Sequence, residues 1–301
     1  MRAYGFTAVG GPEHEAFLDV PEPVAGAGEL LVRVLAAGVN PGDRRLREGA
    51  HGVEPPAVLG REVAGTVVAL GPGTAGFAVG DEVFGGCPGM VGGWAPLARV
   101  TASFAAHRPV GVSSVDAAVL PVAAGTAHDA LTGLDLPAGA TLVVNGAGGG
   151  VGVAVVQLAA ARGLRVVGVA SPAKHDLLRR FGTVPVAYGT GVLDRVRAAA
   201  PSGVDAVFDL VGGAALRTVA SLVGDRSRLR SVADKPLVAE LGGADVARDR
   251  STAVLAELAR LVAAGGLDPH VTRVVGFDDA RAALAAVERG HEAGKVVLEI
   301  G

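Results

Sequence analysis

Apolar positions run along this chain in two textures. Up to about Ala117 they form short β-like runs, Glu29–Leu35, Ala64–Leu70, Asp81–Phe84 and Ala95–Val100. Glycine and proline turns such as Gly71-Pro72-Gly73 and Val79-Gly80-Asp81 separate them. Helical periodicity is scarce there, so a β-rich domain is expected. From about Asp116 the rhythm changes. The pattern predicts helices over 116–131, 150–161, 172–181, 192–199 and 214–222, alternating with apolar strands over 141–145, 165–170, 185–188, 205–210 and 229–232. Strands of four to six apolar residues without polar alternation suit a parallel sheet covered on both faces. A helix over 252–264, a strand over 272–275, a helix over 278–288 and a last strand over 295–300 follow. The expected fold class is α/β, with a doubly wound parallel-sheet domain beside the β-rich one.

The chemistry concentrates where one of these strands ends. Val143–Gly152, VVNGAGGGVG, reads as a strand running into a turn and opening a helix. Ala147-Gly148-Gly149-Gly150-Val151-Gly152 fits A-x-G-x-x-G, with alanine in place of the first glycine of a dinucleotide-binding turn. Such a turn brings backbone N–H groups against a pyrophosphate, and side chains would hold the phosphates away. The bland alternative is a helix-packing cluster in a chain with 46 glycines. The next strand end selects the cofactor. An NAD site usually places Asp or Glu about twenty residues past the turn. Here Ala170 is followed by Ser171 and Lys174, one of only three lysines, and no acid comes before Asp176. A hydroxyl and an ammonium suit a ribose 2′-phosphate, so NADP(H) is the expected cofactor; an ordinary solvated lysine is the alternative. Asn145, at the end of its strand, bonds cofactor oxygens or else satisfies the turn. Val211-Gly212 and Ser231-Val232, at later strand ends, offer backbone contacts on the ligand side of the sheet.

Composition narrows the remaining classes. Half of the 301 residues are apolar, and the formal net charge of −3 is spread evenly, which fits neither a nucleic-acid nor a membrane surface. No stretch reads as a signal peptide or a membrane span, so a soluble cytoplasmic protein is expected. The single cysteine, Cys87, supplies neither an internal disulfide nor a multi-thiolate metal site.

Several further motifs occur in one order: Val20-Pro21-Glu22-Pro23, Gly28–Val34, Ala36–Asp43 (AAGVNPGD), Leu59–Val67 (LGREVAGTV), Val79–Phe84, Gly203–Asp209 and Gly294–Leu298. With the glycine turn they resemble the medium-chain dehydrogenase/reductase superfamily, specifically its zinc-independent, zeta-crystallin-like NADPH:quinone oxidoreductase branch, over nearly the whole chain. The resemblance implies a GroES-like catalytic domain, 1–117 with 267–301, and a Rossmann domain, 118–266, with the active site in the cleft between them. It also implies a homodimer. Zinc-dependent relatives place cysteine where this chain has Asn40 and histidine where it has Arg61, and neither replacement is a good zinc ligand, so no metal is expected.

Without a Lewis acid, hydride transfer to a conjugated acceptor is easier than to a simple ketone, because charge spreads into an enolate or quinol. A quinone or an α,β-unsaturated carbonyl is therefore the expected substrate. An enoyl thioester is the first alternative, with Arg44, Arg45 and Arg47 as candidate carrier contacts. A low-turnover NADPH-binding structural or nucleic-acid-binding protein is the second.

The resemblance puts Asn40 and Asp43 on the active-site loop. Asn40 would touch the nicotinamide ribose or the substrate oxygen, or else cap the turn at Pro41. His51 stands near a usual tyrosine and would donate a proton, or else is a solvated loop histidine. Thr126 matches a hydroxyl near the nicotinamide carboxamide, with His128 replacing an aromatic beside it. Tyr188 matches a position near the adenosine phosphate, or else packs half-buried at a strand end. Arg61, Trp94 and Cys87 read as structural or substrate-lining. His291 and Lys295 belong to the family's C-terminal pattern with no chemistry assigned.

Overall fold

The computed structural model describes residues 1–301 apart from His291, which lies outside the described residues. In chain order it opens with strands β1 (Arg2–Phe6), β2 (Glu15–Asp19) and β3 (Glu29–Val39), then helix α1 (Pro41–Arg47). Strands β4 (Ala57–Val58), β5 (Glu62–Leu70), β6 (Glu82–Gly86), β7 (Leu97–Thr101) and β8 (Ala105–His107) lead to the short helix α2 (Ser114–Ala117). Alternation then sets in: α3 (Gly125–Leu134), β9 (Thr141–Asn145), α4 (Gly150–Ala161), β10 (Arg165–Ala170), α5 (His175–Arg180) and β11 (Val184–Ala187). It continues through α6 (Val192–Ala199), β12 (Ala206–Asp209), α7 (Gly213–Ala220), β13 (Leu229–Ser231) and α8 (Lys235–Glu240). The chain closes with α9 (Thr252–Ala263), β14 (Val271–Gly276), α10 (Ala280–Glu288) and β15 (Lys295–Glu299). Among the described residues no helix is long and apolar enough to cross a membrane.

These elements form two compact units. One holds Met1–Val122, Arg250–Gly265 and Pro269–Gly301; the other holds Ala123–Asp249 and Gly266–Asp268. Helix α9, expected with residues 118–266, sorts with the first unit. Its first residue explains why: the Thr252 hydroxyl donates to the carbonyls of Ala102 and Ser103.

The first unit is the sheet-rich half. Its larger sheet runs β14-β15-β3-β5-β6-β8, with β7 also paired to β3, and β2-β1-β4 form a smaller one. The last strand returns to the middle of this half, with Val296 opposite Val39 and Leu298 opposite Ala37 in an antiparallel ladder. Trp94 is fully buried in the core and its Nε1 donates to the Gly38 carbonyl at 3.3 Å. Helix α1 falls within the stretch where the sequence shows little helical periodicity. Six of its seven residues are not large apolars, so no periodic stripe announces it; Pro41 in its first turn and the acid at Asp43 do. The Asp43 carboxylate accepts the Asn40 N–H at 2.8 Å, one half of a capping box.

The second unit is the doubly wound half. Its five strands are parallel in the order β11-β10-β9-β12-β13, and β9 is buried at every residue, as a sheet covered on both faces requires. Strands 141–145 and 165–170 and helices 150–161 and 192–199 have the predicted bounds. The predicted helix 116–131 is instead broken: α2 stops at Ala117, a π-type turn spans Leu120–Ala124, and α3 begins at Gly125. Pro121 has no N–H to donate within that turn, which disfavours a regular helix through it. The chain leaves β9 toward β10 on one side and β12 lies on the other, so the switch point of the winding falls at the carboxyl ends of β9 and β12.

Candidate active site

Polar groups gather at one place in each unit. In the second unit it is the switch point. Gly146 has φ +88 and lets β9 turn sharply, while the N–H groups of Gly146 and Ala147 donate to the Val169 carbonyl at 3.0 and 3.1 Å. Gly149 is the N-cap of α4, and no side chain caps that helix. Its first N–H groups, from Gly150, Val151 and Gly152, are therefore left for a ligand, at the positive end of the helix dipole. A Cβ on Gly152 would lie 2.5 Å from the carbonyl oxygens of Gly146 and Ala147, so the turn closes only on glycine.

A Cβ on Gly148 would run into the aliphatic stem of Lys174. That stem crosses the glycine turn, and Ser171, which precedes Pro172–Lys174, accepts the Lys174 N–H through its carbonyl at 2.9 Å. Lys174, one of the two expected 2′-phosphate partners, thus stands beside the turn, and Ser171 lies three residues before it. Tyr188 is two-thirds exposed, not half-buried, at the end of β11. Arg195 holds the loop that carries it, donating to the carbonyls of Ala187, Tyr188, Gly189 and Thr190.

Asn145 and Ser231 are engaged inward. The fully buried Asp209 carboxylate accepts from Asn145 Nδ2 at 2.6 Å, Ser231 Oγ at 2.7 Å, Gly212 N at 2.9 Å and Val211 N at 3.2 Å. This knot ties the ends of β9, β12 and β13 and presents Val211, half-exposed, on the turn beyond β12. Asp209, quoted in the sequence only as part of a motif, is its centre. Thr126 is buried on α3, and His128 Nδ1 lies 3.1 Å from Asp129 Oδ1.

In the first unit the gathering point is the junction of β3, α1, β5 and β15. Asn40 Nδ2 donates to Glu62 Oε1 at 2.9 Å, and Lys295 Nζ donates to Asn40 Oδ1 at 2.5 Å, Glu62 Oε1 at 3.1 Å and the Val39 carbonyl at 3.3 Å. Glu62 Oε2 accepts the Val122 N–H at 2.7 Å. All three side chains are at most 4% exposed. Gly38 leaves the room, since a Cβ there would collide with the Glu62 carboxylate. Asp43 is buried beside this cluster, and Arg61 crosses Gly42, where a Cβ would lie 2.6 Å from its guanidinium carbon.

Burial lifts the Asp43 carboxyl to about 6, against the pull of Arg61, the Asn40 N–H and Lys295. Asp43 Oδ1 and Arg61 Nε have no hydrogen-bond partner among the described residues. Cys87 is buried, and burial pushes its thiol up, so it is not a ready nucleophile. His51 is exposed in the left-handed region at φ +70, between Gly49 and Gly52, which are also left-handed. Lys295 and Glu62 are what the sequence reading left without a role. The signal for them was a glutamate and a lysine at the head of otherwise largely apolar strands.

Two family models match the chain: an alcohol dehydrogenase GroES-like domain over residues 26–112, and a zinc-binding dehydrogenase over residues 185–298. A mycobacterial quinone oxidoreductase structure is 30% identical with a TM-score of 0.82, over 99% of each chain. A mycobacterial protein solved in complex with NADPH is 29% identical with a TM-score of 0.88, again over 99% of each. The erythronolide synthase EryA2 of Saccharopolyspora erythraea is 36% identical over 295 residues, 93% of this chain. The chain spans only 8% of that relative's length.

The zinc in the second family description is not matched by the donors at the Asn40 junction. An amide already shared between a carboxylate and an ammonium, a guanidinium and a lysine do not make a zinc site. Among the described residues no group of three or more His, Cys, Asp or Glu is placed to hold a metal ion.

Proposed function

The chain belongs to the medium-chain dehydrogenase/reductase family, and on that premise we propose that it is an NADPH-dependent reductase of quinones or α,β-unsaturated carbonyls. The observation that carries the reading is the Lys174 stem lying across Gly148, beside an uncapped helix N-terminus. The N–H groups of Gly150, Val151 and Gly152 would take the pyrophosphate, and Ser171 with Lys174 the 2′-phosphate. Tyr188 would flank the adenosine side, Val211 and Thr126 the nicotinamide side. Asn145 and Ser231 would act through the Asp209 knot, by setting the turn at Val211. Bound there, NADPH supplies a hydride.

On the substrate side the reading assigns Asn40 as an oriented N–H donor, Asp43 as the acid beneath it and His51 as the proton donor. A conjugated acceptor needs only donors for the developing oxyanion and one proton, which is chemistry these residues can provide without a Lewis acid. The test is to follow oxidation of NADPH and NADH against quinones, enones and enoyl thioesters. Turnover with quinones or enones and a preference for NADPH are expected; no turnover with any acceptor would overturn the reading. His51→Ala is expected to lower turnover and spare NADPH binding, and unchanged kinetics would remove it from the mechanism.

A second reading, an enoyl-thioester reductase, is favoured by the likeness to a polyketide synthase over 93% of the chain. Turnover confined to the thioesters in the same panel would select it.

A further inference from the structure

The buried junction in the first unit contains a fixed cation, Lys295, bonded to Asn40, the position where the resemblance puts a cysteine ligand in zinc-bearing relatives. Lys295 begins the last strand, one residue before the pair Val296–Val39, so its side chain reaches back to Asn40, 255 residues earlier. There the ammonium has three acceptors, Asn40 Oδ1, Glu62 Oε1 and the Val39 carbonyl, which matches its three protons. Glu62 in turn takes the Asn40 amide proton on the oxygen that also faces the ammonium. Donor on one side and acceptor on the other leave the Asn40 amide a single orientation. They also leave one Nδ2 proton outside the cluster, polarised by a cation on the far end of the same amide.

We propose that Lys295 is a positioning residue, an internal cation that orients the Asn40 amide and fixes the start of α1. The zinc family description and the donor set disagree at this junction, and a covalently tethered ammonium resolves the disagreement. It neutralises the Glu62 carboxylate and joins β15, β5 and the β3–α1 corner, as a shared ion would. Unlike a metal it is neither exchangeable nor open to a substrate ligand. A merely structural lysine would stabilise the fold and leave the orientation of one amide irrelevant to turnover.

The kinetic part rests on the reductase reading above; the cation itself does not. Lys295→Ala is to be measured by thermal melting, by NADPH titration and by steady-state kinetics, each with propylammonium chloride and with sodium chloride at equal ionic strength. The expected result is a lowered melting temperature and a kcat lower by about a hundredfold, as for a displaced catalytic group, with the KM for NADPH unchanged. Propylammonium is expected to restore part of both losses in the variant and to leave the unsubstituted protein unmoved.

The double variant Lys295→Met with Glu62→Gln removes both buried charges and guards against a fold that fails through an unpaired carboxylate. It is expected to melt near the unsubstituted protein and still to have low kcat. Full kcat in the double variant would overturn the proposal. So would a folded Lys295→Ala on which propylammonium has no more effect than sodium. If the unsubstituted protein turns over none of the acceptors, the reductase reading fails; the amine-dependent melting shift still decides whether Lys295 is an internal cation.

Discussion

The two polar knots of this molecule solve the same problem differently. At the Asn40 junction carboxylates are buried with an ammonium and a guanidinium for company, and at the end of β12 a single buried carboxylate is surrounded by neutral donors. Two of those donors are backbone N–H groups of the turn it holds, Val211 and Gly212. Charge against charge spans distant parts of the chain but fails badly when one partner is lost. A carboxylate solvated by N–H and O–H groups loses its bonds one at a time.

The sharpest way to break this contrast is Lys295→Met. Leaving Glu62 charged and unpaired is expected to cost about 3–5 kcal/mol in urea unfolding, and adding Glu62→Gln is expected to recover most of it. A single variant of near-normal stability would mean the first knot is not ionic in effect.

Asp209→Ala comes next. It strips partners from two backbone N–H groups, an amide and a hydroxyl, and is expected to cost about 2–3 kcal/mol. Partial tolerance of Asp209→Asn, which keeps one acceptor oxygen, would mark the bonds as separable.

Smaller still is a pH effect of the first knot. Asp43 titrates at about 6 when folded and near the ordinary carboxylate value when unfolded, so the folded state binds its proton more tightly. The associated stability is full at pH below the unfolded value and is lost as pH rises through about 6. Unfolding free energies measured across that window are expected to fall with rising pH by on the order of 1–3 kcal/mol, and Asp43→Asn to flatten the slope. An unchanged slope would assign the effect elsewhere. The gentlest test lies outside both knots, at the glycine turn: Lys174→Ala is expected to weaken NADPH about tenfold, the worth of one charge-assisted bond, and to leave NADH untouched. Equal losses would sink the phosphate assignment.

Legibility in the sequence followed distance along the chain. The glycine turn, Ser171 and Lys174 fall within one β-α-β stretch of thirty-odd residues, where strand, turn and helix each leave a local signature. Helix α1 was missed because seven mostly charged or small residues carry no periodic stripe, although Pro41 and Asp43 are its start signals. Asn145 and Ser231 stand at strand ends, where ligands bind, and nothing local reveals that Asp209 takes their side-chain protons.

Taken by itself, the sequence determined the α/β class and the position of the dinucleotide turn, because short-range backbone geometry demands glycine there. Only the tertiary structure decided what Asn40, Glu62 and Lys295 bond to. Their contacts come from the antiparallel pairing of the last strand with β3 and β5 with β3, pairings 255 and 22 residues long between the bonded groups. A lone lysine in an apolar strand has no local partner to betray its role; it acquires one only when burial makes an unpaired charge too costly to leave.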